Sequence, residues 1–147
     1  MHEDMFAANI PSDICKKIDE IENSDPIKEN VYRVSKTGTI SEQTFDNTFA
    51  EVLKGTTSAR NKDYSEVGTY STSFYLSPEP CDRWKSFLAK KYRYPNPLVI
   101  KGHIDASMGK YQKTVERLKD ADPLHIDMWI YEDMIQAVID EFEIIEE

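Results

Sequence analysis

The segment Tyr70-Ser71-Thr72-Ser73-Phe74-Tyr75-Leu76 decides the fold class, because it predicts a β-strand that leads directly into a helix. Its tyrosine, phenylalanine and threonine residues have high strand propensity. Ser77-Pro78-Glu79 follows at once and predicts a helix start, since proline is favoured in the first helical turn. In the helix that follows, we expect Trp84, Phe87 and Leu88 to share one apolar face.

Other segments repeat this mixture of strands and short helices. Apolar spacing predicts helices after Ser12 and after Ser41, and the charged stretch 108–122 is compatible with a third. Alternating or β-rich patterns predict strands at residues 30–35, 98–104, 125–131 and 142–145. The polar stretch 56–68 is the best candidate for a long loop. The pattern indicates a small α+β domain.

Length and charge limit the classes of function. The chain has 147 residues, 39% of them hydrophobic, and predicts one domain with an N-terminal helical segment (1–29) and a core (30–147). A formal net charge of −9 argues against nucleic acid and anionic membranes as partners, because both favour basic surfaces. Residues 1–6 do not have the pattern of a secretory signal, and no apolar run is long enough to cross a membrane, so we expect a cytoplasmic protein.

The cysteine and histidine content does not indicate a metal site. Cys15 and Cys81 are far apart in sequence, and free thiols are favoured over a disulfide in a cytoplasmic protein. The three histidines are scattered, so we expect no metal.

Three short motifs carry the chemistry that the sequence offers. In Val31-Tyr32-Arg33, the arginine follows two apolar residues at the start of a predicted strand. Its guanidinium could bind a phosphate with two hydrogen bonds. In Ser71-Thr72-Ser73, hydroxyl groups can position a neighbouring side chain. In Glu141-Phe142-Glu143, the two carboxylates point the same way if the segment is a strand, and can stabilise positive charge.

These motifs, in this order, resemble the Arg, Ser-Thr-Ser and Glu-x-Glu motifs of the binary-toxin-type mono-ADP-ribosyltransferases. The resemblance implies an ADP-ribosyltransferase-like fold of two small, mostly antiparallel sheets with NAD in the cleft between them. It implies that Glu143 stabilises the ribosyl cation, that Glu141 positions the acceptor and that Ser71 orients the catalytic glutamate. It further implies that Arg33 contacts the NAD phosphates and that Thr72 and Ser73 hold the nicotinamide pocket. Tyr32 and Tyr75 lie beside these motifs in sequence and are further candidates for NAD binding, with Tyr75 placed to stack on nicotinamide; both could equally pack in the core. No metal is needed.

Each motif also has a purely structural interpretation. Arg33 could be solvated or paired with one of many acidic residues, and serine and threonine are common in exposed strands. The C-terminal region is acidic throughout, so some Glu-x-Glu pattern is expected there by chance. The segment from His125 to Glu132 is a rival site, in which Trp129 could stack on nicotinamide and Glu132 could replace Glu143 as the catalytic carboxylate. That face could equally pack in the core.

The leading hypothesis is therefore an NAD-consuming enzyme, either a mono-ADP-ribosyltransferase or an NAD glycohydrolase, acting as a bacterial or phage toxin or as a host-modifying protein. Its expected partners are NAD and a protein acceptor. The alternatives are a non-catalytic acidic interaction protein (an inhibitor, an immunity protein or a DNA mimic) and a transferase fold that has lost its activity.

Overall fold

The computed structural model describes Phe6 and residues 10–145. Six strands form one antiparallel sheet in the order β4-β5-β2-β1-β3-β6. Residues 1–5 and 7–9 of the predicted N-terminal segment lie outside the described residues, as do Glu146 and Glu147. The strands are β1 (Val31–Ser35), β2 (Thr72–Tyr75), β3 (Leu98–Gly102), β4 (Gly109–Lys113), β5 (His125–Ile130) and β6 (Phe142–Ile144).

Among the described residues, four short α-helices accompany the sheet. They are α1 (Ser12–Asp19), α2 (Thr48–Leu53), α3 (Glu79–Lys91) and α4 (Ile135–Asp140). Turns of 3₁₀ helix lie at Glu42–Phe45, Val67–Tyr70, Thr114–Glu116 and Glu132–Met134. The helix predicted after Ser41 is split, because Asn47 caps a new start: its side chain accepts a hydrogen bond from the Ala50 amide at 2.7 Å. No helix within the described part of the chain is long and apolar enough to cross a bilayer.

One face of the sheet carries the largest apolar cluster. Phe74 pairs with Ile126 across β2 and β5, and both side chains are fully buried. Ile126, Met128 and Ile130 face this side, as the alternation in the sequence predicts. Phe45 and Phe142 pack edge to face, which fastens the 3₁₀ turn and the edge strand β6 to the same cluster.

The opposite face is covered by two helices. Ile14 and Ile18 of α1 pack with Trp129 at the β5 end of the sheet. Cys81 and Leu88 of α3 pack on β1 and β3 at the other end. Between the two helices, this face carries Tyr75, which makes an edge-to-face contact with His125.

Three sequence predictions differ from the structure. The strands lie in one sheet, not in two small ones, although β1 and β2 are registered at a single position, Tyr32↔Tyr75. The stretch 108–122 is not a helix: its start forms the edge strand β4, whose Tyr111 is buried while the charged Lys110 reaches the end of α1. Trp84 and Phe87 are exposed, and only Leu88 of the predicted apolar face is buried.

Candidate functional site

The junction of β1 and β2 forms the centre of the candidate site. Whereas β1 pairs with β3 along its whole length, it is registered with β2 only at Tyr32↔Tyr75. Beyond that pair, the Ser73 carbonyl accepts a hydrogen bond from the Arg33 guanidinium at 2.9 Å. The arginine side chain therefore links the two strands where their backbones are not paired.

Arg33 is held by a set of backbone carbonyls. Its Nε donates to the Thr44 carbonyl at 2.8 Å and its Nη2 to the Asp46 carbonyl at 3.2 Å. Burial lowers the pKa of Arg33, and the negative charge of Glu51, whose Oε2 lies 3.9 Å away, opposes that shift. An arginine remains charged under such a shift. The guanidinium thus anchors the segment before α2 and keeps a positive charge inside the molecule.

A cleft of about 290 Å³ opens beside this arginine. Lys36 and Glu51 form an ion pair in it, with 3.1 Å between Nζ and Oε2. The Lys36 ammonium also donates to the Thr56 carbonyl at 2.9 Å. Its lining includes two cations, one carboxylate, a hydroxyl and two aromatic rings: Arg33, Lys36, Glu51, Ser73, Tyr75 and Trp84. We call this space the Arg33 cleft.

The predicted NAD-binding residues divide between this cleft and other places. Arg33, Ser73 and Tyr75 line the Arg33 cleft together. Tyr32 is packed against the cluster under α3. Thr72 is buried, and its hydroxyl donates to the Phe45 carbonyl at 2.8 Å. Three of the five predicted residues are thus close in space.

Ser71, predicted to orient the catalytic glutamate, is fully buried. Its Oγ lies 2.6 Å from Asp127 Oδ1 and 2.9 Å from the Gly68 carbonyl, and its single proton favours the carboxylate. Asp127 is also buried, and it accepts from Arg117 Nη2 at 2.7 Å and from Thr114 Oγ1 at 3.0 Å. Ser71 therefore does position a carboxylate, but that carboxylate is Asp127 within a buried polar network.

Glu141 and Glu143 lie at the other edge of the sheet. Both are exposed, and Glu143 Oε1 lies 3.5 Å from Lys101 Nζ. Strand β6 is separated from β2 by β1 and β3, which places it about 14 Å away at the usual strand spacing. Contrary to the expectation, the fold does not bring Arg33, Ser71 and Glu143 to one cleft.

The rival segment after β4 is mostly structural. Trp129 is 1% exposed and its indole N–H donates to the Val67 carbonyl at 3.0 Å, so almost none of its ring is open to nicotinamide even where it borders a second cleft. Burial lowers the pKa of His125, although Asp127 opposes the shift. Glu132 is exposed and lines this second cleft, of about 450 Å³, together with Thr72.

Within the described residues, the cysteines and acidic groups are not placed as a metal centre. Both cysteines are buried, and burial raises the pKa of Cys81 to about 12. Across Phe6 and residues 10–145, no group of three or more histidine, cysteine, aspartate or glutamate side chains is placed to hold a metal ion.

Sequence reasoning missed four side chains that shape these sites. Lys36 and Glu51 line the Arg33 cleft, but nothing in their sequence surroundings distinguishes them from other surface charges. Trp84, which the sequence predicts on an apolar helix face, lies at the cleft with 41% of its surface exposed. Arg117, which holds Asp127 and Glu66, lies in the stretch predicted as a charged helix.

Comparison with known proteins gives no relative for this arrangement: no family model, curated protein or solved structure matches the chain.

Proposed function

We propose that the protein binds NAD in the Arg33 cleft and cleaves the bond between nicotinamide and ribose, as an NAD glycohydrolase or a mono-ADP-ribosyltransferase. One observation carries this proposal. Arg33, Ser73 and Tyr75, which the sequence motifs assign to NAD binding, line a single cleft although they come from two strands. We place the reaction in the cytoplasm, as the sequence predicts.

The lining of the cleft suits a phosphorylated, aromatic ligand. Arg33 and Lys36 supply positive charge for a diphosphate in a chain that is otherwise strongly acidic. Tyr75 and the partly exposed Trp84 offer aromatic rings for nicotinamide. A volume of about 290 Å³ is near the lower end for ligand pockets, so the cleft holds the nicotinamide half while the adenosine half lies outside.

The carboxylate in this site is Glu51, which takes the role that the resemblance assigned to Glu143. Cleavage sends the electron pair of the C–N bond to nicotinamide and leaves a positively charged ribosyl group. The Glu51 carboxylate in the cleft stabilises that charge. Water then attacks, giving ADP-ribose and a proton, or an acceptor nucleophile takes the ribosyl group and releases its own proton.

The test compares two glutamate-to-glutamine variants. Wild type and both variants are incubated with NAD, and nicotinamide release is followed by chromatography. Glu51→Gln is expected to lower the rate by about 10²-fold, the usual effect of removing one charge-stabilising group. Glu143→Gln, an exposed position of the same chemistry, is expected to keep the wild-type rate.

Two outcomes would overturn this proposal. If wild type neither releases nicotinamide nor binds NAD in a calorimetric titration, the protein is not an NAD enzyme. If Glu143→Gln loses activity and Glu51→Gln does not, the Arg33 cleft is not the place of the reaction.

A further inference from the structure

The outer face of α3 carries three exposed aromatic rings. Trp84, Phe87 and Tyr92 are 41%, 39% and 54% exposed. Trp84 and Phe87 stack with 5.4 Å between ring centroids, and Tyr92 meets Phe87 edge to face at 5.4 Å. The helix is anchored to the sheet by the buried Cys81 and Leu88. The rings are therefore a surface cluster and not part of the core.

The chain segment that carries this cluster is rich in basic residues. Residues 83–93 contain five lysine and arginine residues and no acidic residue, in a chain with a formal net charge of −9. Lys91 Nζ lies over the Phe87 ring at 5.3 Å from its centroid. Within Phe6 and residues 10–145, the ion pairs of the structure do not include the exposed Arg83, Lys90, Lys91 or Arg93. We call the three rings and these four cations the α3 outer face.

Both features together indicate a ligand with flat rings and negative charge. Burying a large aromatic side chain is energetically favourable. A group of three such side chains exposed side by side therefore marks an interaction site. Lys90 and Lys91 also suit the negative end of the helix dipole. That effect does not account for Arg83, which lies near the helix start, or for the exposed rings.

We propose that the α3 outer face binds single-stranded nucleic acid, with bases stacked on Trp84, Phe87 and Tyr92 and with phosphates near Arg83, Lys90, Lys91 and Arg93. Aromatic platforms beside basic side chains are the usual means of binding single strands. This inference stands without the proposed NAD chemistry, although both use Trp84, which also borders the Arg33 cleft.

The charge distribution favours a single strand over broader anionic partners. Outside residues 83–93 the chain is even more acidic than its net charge indicates. A duplex or an anionic bilayer would bring many phosphates against that acidic surface, whereas a single strand needs only the narrow strip along α3. The net charge argues against nucleic acid for the chain as a whole, whereas this face is locally basic.

The experiment uses intrinsic tryptophan fluorescence, because the chain has two tryptophans and Trp129 is buried. Adding a 12-nucleotide oligothymidylate to the full chain at low salt, without NAD, is expected to quench the emission of Trp84 as a base stacks on it. Affinity is expected to fall with salt, with a logarithmic slope of about −2 to −3 for four cations.

Two variants and a matched control locate the site. Phe87→Ala is expected to weaken binding by about 5- to 100-fold, the usual effect of losing one stacking ring. The double variant Lys90→Ala, Lys91→Ala is expected to weaken binding and to flatten the salt slope. The double variant Lys28→Ala, Lys119→Ala, which removes two exposed lysines elsewhere, is expected to bind like wild type. Circular dichroism checks that each variant is folded.

Three results would overturn the proposal. The first is an unchanged emission and an unchanged anisotropy of a labelled oligonucleotide at all protein concentrations. The second is binding that the Lys28, Lys119 variant loses and the Lys90, Lys91 variant keeps. The third is a blue-shifted, enhanced emission with phosphatidylserine vesicles but no response to oligonucleotide, which would assign the face to membranes.

Discussion

Ser71 Oγ lies 2.6 Å from Asp127 Oδ1, and both side chains are buried. The sequence motif predicts such a hydroxyl–carboxylate pair but with a different acid. Asp127 is also bound by Arg117 and Thr114, so the carboxylate is satisfied by three protein donors. Its position explains the fold of this region, because it ties β2, β5 and the turn after β4 together.

We expect Asp127→Asn to lower the free energy of unfolding by about 3 kcal/mol, because the change leaves Arg117 without its buried partner. Because Arg117 keeps its ion pair with Glu66, the loss of stability is expected at the lower end of the range for broken buried ion pairs. Urea unfolding measures it. Glu143→Gln serves as the control and is expected to change stability by no more than about 0.5 kcal/mol. A loss in Asp127→Asn no larger than the control would contradict the structural role given to the network.

Arg33→Lys is expected to destabilise the protein by about 3 kcal/mol. A lysine cannot reproduce the three directed bonds to the carbonyls of Thr44, Ser73 and Asp46. Arg83→Lys is the matched control, since Arg83 is exposed and should tolerate the same change. Thermal unfolding of both variants measures the difference, and equal melting temperatures would show that the carbonyl bonds do not stabilise the fold.

Most of the strands could be predicted from the sequence because their side chains alternate. In β5, Ile126, Met128 and Ile130 are two residues apart, so their side chains all point to the same face of the sheet and pack against the core. Strand β4 could not be predicted in this way. Its Lys110 and Lys113 suit a sheet edge but also suit a helix, and pairing with β5 decides between them.

The candidate site was predictable only where its residues belong to a strand motif. The sequence motifs single out Arg33, Ser73 and Tyr75 as candidates. These residues share a cleft because strands β1 and β2 are adjacent in the sheet. Glu51 belongs to helix α2. Its proximity to Arg33 depends on how α2 packs, and no local sequence pattern predicts that packing. The acidic pair near the C-terminus has the right spacing but lies on β6, and only the strand order shows that this edge is remote.

His125 is expected to make stability depend on pH below neutrality. Burial lowers the pKa of His125 from 6.5, against the opposing charges of Asp127 and Asp122, so the unfolded chain takes up a proton more readily than the folded one. Stability from this residue is therefore complete above about pH 6.5 and is lost as the pH falls from there through the folded-state pKa. Between pH 7 and pH 5, wild type should lose more stability than His125→Gln, measured by urea unfolding. A titration of the His125 ring by NMR with a midpoint above 6.5 would contradict the prediction.

Cys81 is expected to react slowly with thiol reagents although it lines the Arg33 cleft. Burial raises its pKa to about 12, so at pH 8 only about one thiol in ten thousand is the reactive thiolate. In a Cys15→Ser variant, which isolates Cys81, Ellman's reagent should label the native protein over hours and the protein unfolded in urea within minutes. The positive charge of Arg33 favours the thiolate, but desolvation is the larger effect. Complete labelling of the native variant within a minute would show that the thiol is open to solvent, and it would contradict the packing of α3 on the sheet.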